Sequence, residues 1–265
     1  MSDQPPPTAA ENAVAGYVLL STVPAEMGGV LDSIQPGMGG PLAGVPLLPA
    51  FEMGVNGAEL QIGVFAEPVK DPGLRADLSI SSLRATLEPA LANHRAFIRL
   101  GISPPADFLD AMITWANVLA YLLERDDAAA VWLPYQQQVT TDVMFTGWME
   151  RDPAVNLTGV HAMWVDGSTS VAFTSGLAAL GGRELQLSAA AEPAALFAAL
   201  RDATADRVGR SQLPVAGGTL TVSGTPHQLV EATGLVDGRP VLSLVPSATP
   251  PAPAEQQKKR RWPFG

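Results

Sequence analysis

The feature that most constrains the fold of this chain is a broad apolar stripe in residues 104–126. Large apolar side chains recur there every three or four residues, at Phe108, Met112, Trp115, Leu119 and Leu122. This spacing predicts one face of an α-helix, and the apolar residues beside the stripe widen that face. So wide a face must be buried against another large apolar surface, and we expect that surface to be a β-sheet.

Strand-like segments flank this helix on both sides. Apolar or alternating runs predict strands at residues 16–22, 59–66, 95–102, 128–134, 184–188 and 218–223. The Asp-Gly pairs at 166–167 and 237–238 predict two β-hairpins, one joining 158–165 to 169–175 and one joining 234–236 to 241–245. Further helices are predicted at residues 24–34, 79–93, 142–149 and 192–208.

This order of hairpins and helices predicts an α+β fold. We expect a single compact domain over residues 14–246, with a mixed, mainly antiparallel sheet and helices packed chiefly on one side of it. Residues 1–13 are rich in proline, alanine and polar side chains and are predicted to be disordered. Residues 247–265 form a proline-rich linker followed by a basic and aromatic tail.

Composition excludes several classes of protein. The chain has no cysteine, which excludes disulfides, cysteine-ligated zinc and thiol catalysis. The net charge of −10 argues against a nucleic-acid partner, because phosphate binding requires a basic surface. The absence of a basic segment at the start and of a long apolar run predicts a cytoplasmic protein.

The three histidines are the candidates for metal binding or proton transfer. His94 ends a predicted helix, His161 lies in a predicted strand and His227 follows Pro226 in a predicted loop. They do not show the short spacing that is typical of metal ligands, so we expect no metal and no cofactor. His94, with an aspartate or glutamate from elsewhere in the fold, is the strongest candidate for a hydrolase base.

Other residues suggest chemistry less strongly. The glycine-rich run at residues 37–44 lacks a lysine and follows a helix, which favours a packed loop over a phosphate site. Ser175 is predicted to bond to backbone amides, and the acidic residues Asp142, Glu150 and Asp152 to face solvent. Aromatic side chains that could line a ligand groove, but that pack more often in a core, are Trp132, Tyr135 and Trp148.

A motif at residues 174–187 resembles that of the uncharacterised bacterial domain-of-unknown-function family 4261. The matching residues are Thr174, Gly176, Leu177, Leu180, Gly181, Glu184 and Leu185. The resemblance spans about residues 16–245 and implies no reaction, substrate or cofactor. The motif itself predicts a strand end, a sharp reversal and one helical turn before the next strand. Ligand recognition is the alternative role for these residues.

The C-terminal tail reverses the charge of the body. Residues 255–265 carry +3, which leaves −13 on residues 1–254. Proline-rich sequence precedes the tail and should keep it extended. Three alternatives are open for this tail: it stays a solvated, disordered end, it docks in a partner's pocket, or it contacts an anionic membrane surface weakly. The residues that would make either contact are Lys258, Lys259, Arg260, Arg261, Trp262 and Phe264.

Together these observations predict a non-catalytic binding or adaptor module that acts on a protein partner. Two alternatives stay open at this point. One is an immunity or regulatory protein whose acidic face neutralises a basic toxin or effector. The other is a hydrolase with a site built on His94.

Overall fold

Two six-stranded β-sheets with six α-helices around them make up the part of the chain that the computed structural model describes, residues 14–81, 83–102 and 108–247. The α+β class and the mainly antiparallel pairing are confirmed. The prediction of one sheet is wrong, because the strands divide into an N-terminal and a C-terminal set. The segments predicted at 1–13 and 248–265, including the basic and aromatic tail, lie outside the described residues.

The first sheet has the strand order β2-β3-β4-β1-β5-β6, with every neighbouring pair antiparallel. Its strands are β1 (Val14–Leu20), β2 (Phe51–Val55), β3 (Ala58–Phe65), β4 (Ala96–Ile102), β5 (Ala128–Leu133) and β6 (Gln138–Thr140). The short strand β6 is therefore the edge of this sheet.

The second sheet has the order β10-β11-β12-β9-β8-β7 and is mixed, because β9 and β12 run parallel. Its strands are β7 (Gly159–Trp164), β8 (Ser170–Ser175), β9 (Leu185–Ala189), β10 (Thr219–Val222), β11 (Thr225–Thr233) and β12 (Pro240–Pro246). Strand β7 is the edge nearest in sequence to the first sheet.

Helices cover both faces of the first sheet, so the prediction that they pack chiefly on one side is wrong. The helices are α1 (Met27–Ile34), α2 (Pro72–Ile80), α3 (Arg84–Asn93), α4 (Phe108–Leu123), α5 (Asp142–Arg151) and α6 (Pro193–Gly209). Helix α4 carries the predicted stripe, of which Met112, Trp115, Leu119 and Leu122 are fully buried in the core shared by both sheets. Helices α2 and α3 cover the opposite face through Leu74, Leu78 and Leu87.

The predicted helix at 79–93 is two helices. Helix α2 begins at Pro72, after Asp71 accepts a hydrogen bond from the Gly73 amide, and ends at Ile80. Because the chain is extended at Ser81, Ile80 does not join the stripe of α3 and is 40% exposed. None of the helices in the described part of the chain has the length and apolar character to cross a membrane.

One predicted hairpin is confirmed and the other is corrected. Strands β7 and β8 pair as expected, and Asp166 closes their loop by accepting hydrogen bonds from the amides of Ser168 and Thr169. The partner of β12 is not residues 234–236 but β11, and residues 234–239 form the loop between them. In β11 buried His227 and Leu229 alternate with exposed side chains, which is a strand pattern.

Candidate functional site

The two sheets contact each other where the 3₁₀ turn that precedes β6 meets β7 and the end of β8, and a cavity of about 370 Å³ opens beside this junction. We call it the seam cavity. Both edge strands contribute to its wall, as do the end of α2, helix α5 and the start of α6. Its main side chains are Thr140, Met144, Trp148, Val160, His161 and Phe197.

Local sequence positions these side chains. Thr141 caps α5 by accepting a hydrogen bond from the Met144 amide at 3.3 Å. Met144 and Trp148 are four residues apart and therefore share the face of α5 that lines the cavity. Helix α6 begins at Pro193, a favoured first helical residue, and Phe197 lies one turn further on.

The backbone carbonyl of Gln136 joins the two sheets. It lies 3.0 Å from His161 Nε2 on β7, and it also accepts a hydrogen bond from the Ser175 hydroxyl at the end of β8. Gly159 permits this contact, because a Cβ atom there would lie 2.2 Å from the Gln136 oxygen. The side chain of Gln136 is buried too, and its Nε2 donates to the Asn156 carbonyl at 2.6 Å.

These bonds determine the state of His161. A carbonyl only accepts hydrogen bonds, so Nε2 carries the proton and Nδ1 has the lone pair in the neutral ring. Burial lowers the pKa of His161, although its bond to Gln136 and the charge of Glu184 act in the opposite direction. Ser175 Oγ lies 3.0 Å from Nε2, but its proton is directed at Gln136, so His161 does not activate this serine as a nucleophile.

The pKa of His161 makes stability depend on pH. Because the folded-state pKa is below the ordinary 6.5, the unfolded chain binds this proton first as the pH falls. We therefore expect the free energy of unfolding to decrease below pH 6.5, and to decrease less in His161→Gln. Urea unfolding of both proteins at pH 7.5 and pH 5.5 measures this difference, and equal pH dependence would contradict it.

Two buried polar atoms near the junction have no hydrogen-bond partner among the described residues. They are the Thr140 hydroxyl and the Gln136 Oε1 atom. Thr140 lines the seam cavity and is fully buried. A buried hydroxyl without a partner is unfavourable.

The motif at 174–187 forms a reversal organised by Glu184. Its Oε1 atom accepts hydrogen bonds from the amides of Gly176 and Ala178, at 2.9 and 3.1 Å. Its Oε2 atom accepts the Thr174 hydroxyl at 2.7 Å, and Thr174 Oγ1 in turn accepts the Leu185 amide. Both carboxylate oxygens of Glu184 therefore accept hydrogen bonds from the turn itself, which gives the carboxylate a structural role.

The glycines and leucine of the motif fit the same turn. Gly176 has φ +98° and Gly181 has φ +82°, which other residues rarely adopt. Leu177 is fully buried, and a 3₁₀ turn at Ala178–Leu180 leads to the second glycine. The motif therefore stabilises the junction beside the cavity, because it holds the end of β8, where the Ser175 hydroxyl donates to the Gln136 carbonyl.

His94 caps α3 instead of lining the cavity. Its Nδ1 atom lies 2.6 Å from the Leu91 carbonyl, and its Nε2 atom accepts the Val69 amide at 2.9 Å. Both ring nitrogens are therefore held by backbone groups. The ring ties the end of α3 to the segment that precedes α2, so the structure assigns His94 a structural role.

The remaining candidates also have local partners. In the glycine-rich loop, the Asp32 carboxylate accepts hydrogen bonds from the amides of Gly37 and Gly39. These amides are therefore not free to bind a phosphate. Asp152 accepts the Ala154 amide at 3.0 Å as a cap. Trp132 is buried and donates to Asp77 at 2.8 Å, whereas Trp148 lines the seam cavity.

The described residues contain no group of three histidine or acidic side chains placed to hold a metal ion. Comparison with family models, curated proteins and solved structures gives no match to this chain. The resemblance to family 4261 stays a prediction that rests on the quoted residues. Sequence reasoning named Trp148 and His161 but did not connect them, and it missed Thr140, Met144 and Phe197.

Proposed function

We propose that this protein is a non-catalytic binding module that holds an apolar side chain of a partner protein in the seam cavity. The cavity itself carries the proposal. Its volume of about 370 Å³ lies in the usual range for ligand pockets, and Met144, Trp148 and Phe197 give it an apolar wall.

The edge strands beside the cavity suit an extended partner segment. Within the described residues, β6 is paired only with β5, and β7 only with β8. An edge strand presents backbone N–H and C=O groups to which another strand can bond. A partner peptide could therefore bond to an edge while one of its side chains enters the cavity, as in other strand-addition complexes.

The polar groups at the junction beside the cavity support binding more than catalysis by a serine nucleophile. His161 donates its Nε2 proton to a carbonyl, and Ser175 donates its proton to the same carbonyl. A serine nucleophile needs a base that takes its proton, and the proton of Ser175 is directed at the Gln136 carbonyl instead. Here these groups maintain the junction of the two sheets.

Closing the cavity mouth tests the proposal. Ala194 is exposed and lines the cavity, whereas neighbouring Ala195 is exposed and does not. We expect peptides selected from a random displayed library on the wild-type protein to bind Ala195→Trp equally and to lose at least about tenfold in affinity for Ala194→Trp, as a blocked anchor pocket requires.

The readout is the dissociation constant of each selected peptide by fluorescence anisotropy. Far-UV circular dichroism and melting temperature verify that both variants fold alike. Selection of no peptide, or selection of peptides that bind both variants equally, would contradict the proposed function.

A further inference from the structure

We propose that the seam cavity is specific for an aromatic side chain that carries an N–H donor, and that the anchor of the partner segment is a tryptophan. This inference rests on the proposed function. The free acceptor of the His161 ring, together with the apolar and aromatic wall, determines the class of ligand.

The first requirement is a donor for His161 Nδ1. With Nε2 bonded to the Gln136 carbonyl, Nδ1 is an acceptor in the neutral ring, and no described residue bonds to it. Among the described side chains, the polar atoms that are buried from solvent and have no hydrogen-bond partner are Gln136 Oε1 and Thr140 Oγ1. His161 Nδ1 has no partner in the described part of the chain and is not one of these buried atoms. Nδ1 thus keeps solvent access, and because His161 lines the cavity we infer that Nδ1 faces it.

The second requirement is that an aromatic ring carries this donor, because aromatic side chains line the cavity. A tryptophan residue meets it through its indole N–H. Purely aliphatic and phenylalanine anchors lack the side-chain donor.

The wall determines the rest of the ligand. Trp148 and Phe197 offer aromatic surfaces, and Met144 offers a thioether, which contacts aromatic rings favourably. Among the described residues that line the cavity, none is Asp, Glu, Lys or Arg. A charged anchor would lose its hydration there without a compensating ion pair, so a neutral aromatic ring is favoured.

N-acetyl-tryptophanamide and its indole N-methyl analogue provide the test, because they differ only at the indole nitrogen, where a methyl group replaces the donated hydrogen. We expect the first to bind the wild-type chain about tenfold more tightly, a factor typical of one hydrogen bond to a buried group. Ala194→Trp should abolish binding of both, and Ala195→Trp should leave it unchanged.

A spectroscopic readout avoids reliance on a His161 variant, which disturbs the sheet junction. In protein labelled with ¹⁵N-histidine, we expect N-acetyl-tryptophanamide to shift the Nδ1 resonance of His161, and the methylated compound to leave it in place. Equal affinity of the two compounds, no binding of either, or no shift at Nδ1 would overturn the inference. The proposed function would survive these results if selected peptides with aliphatic anchors still fail to bind Ala194→Trp.

Discussion

Gly159→Ala should destabilise the protein by about 2–3 kcal/mol, because the added methyl group overpacks the junction of the two sheets. Its Cβ would lie 2.2 Å from the Gln136 oxygen and 2.7 Å from Ser175 Oγ. Neither neighbour can withdraw without breaking the bonds that hold β7 and β8 to the first sheet. The loss therefore has a steric cause at a defined pair of atoms.

Gly167→Ala is the matched control for this variant. Gly167 lies in the loop of the same hairpin, and a Cβ atom there would meet no atom within 4 Å. We expect a change of less than about 0.5 kcal/mol, as for ordinary surface substitutions. Urea unfolding measures both variants, and similar stability of the two would show that the junction does not depend on close approach at Gly159.

Gly176→Val should destabilise the protein by about 3 kcal/mol and Gly181→Val by about 1–2 kcal/mol, since a β-branched residue is strained at positive φ. Only the first position is also crowded: its Cβ would lie 3.1 Å from the ring of Tyr135, whereas nothing lies within 4 Å at Gly181. The difference between the two variants isolates the contribution of packing against Tyr135.

Thermal unfolding provides the measurement. For a domain of this size, each kcal/mol corresponds to roughly 2–4 °C in melting temperature. If both variants melt like the parent, the motif at residues 174–187 does not act as a structural turn. An equal loss at the two positions would show that strain alone, and not the Tyr135 contact, determines the cost.

The sequence predicts best where one pattern is long or a turn is unambiguous. The stripe of α4 extends over four turns, so its burial was predictable without knowledge of its neighbours. Helix α6 and the β7–β8 hairpin were predicted for similar reasons. The motif around Glu184 was predictable as a turn because three glycines and a polar pair occur within eleven residues.

Shorter elements were missed although local signals existed. Asn56 and Gly57, both at positive φ, join β2 to β3, and Asn-Gly is a strong hairpin signal. Asp71 and Pro72 begin α2 as a cap followed by a first-turn proline. No local sequence pattern indicates the division into two sheets, because this division depends on which strands are paired on one side only.

The candidate site was beyond sequence reasoning for a physical reason. Its wall comes from segments that are distant in the chain, and the acceptor that organises it is a backbone carbonyl, which no side-chain pattern reveals. His161 acquires its tautomer only through that carbonyl.

The most direct test of the account is a titration of the ¹⁵N-labelled full chain with N-acetyl-tryptophanamide, followed through its backbone amide resonances. We predict saturable shifts that concentrate in residues 138–140, 160–162 and 194–197, the segments that contribute to the wall of the seam cavity. Shifts elsewhere in the protein with these three segments unchanged, or no saturable shift at all, would contradict the claim that this cavity is the binding site.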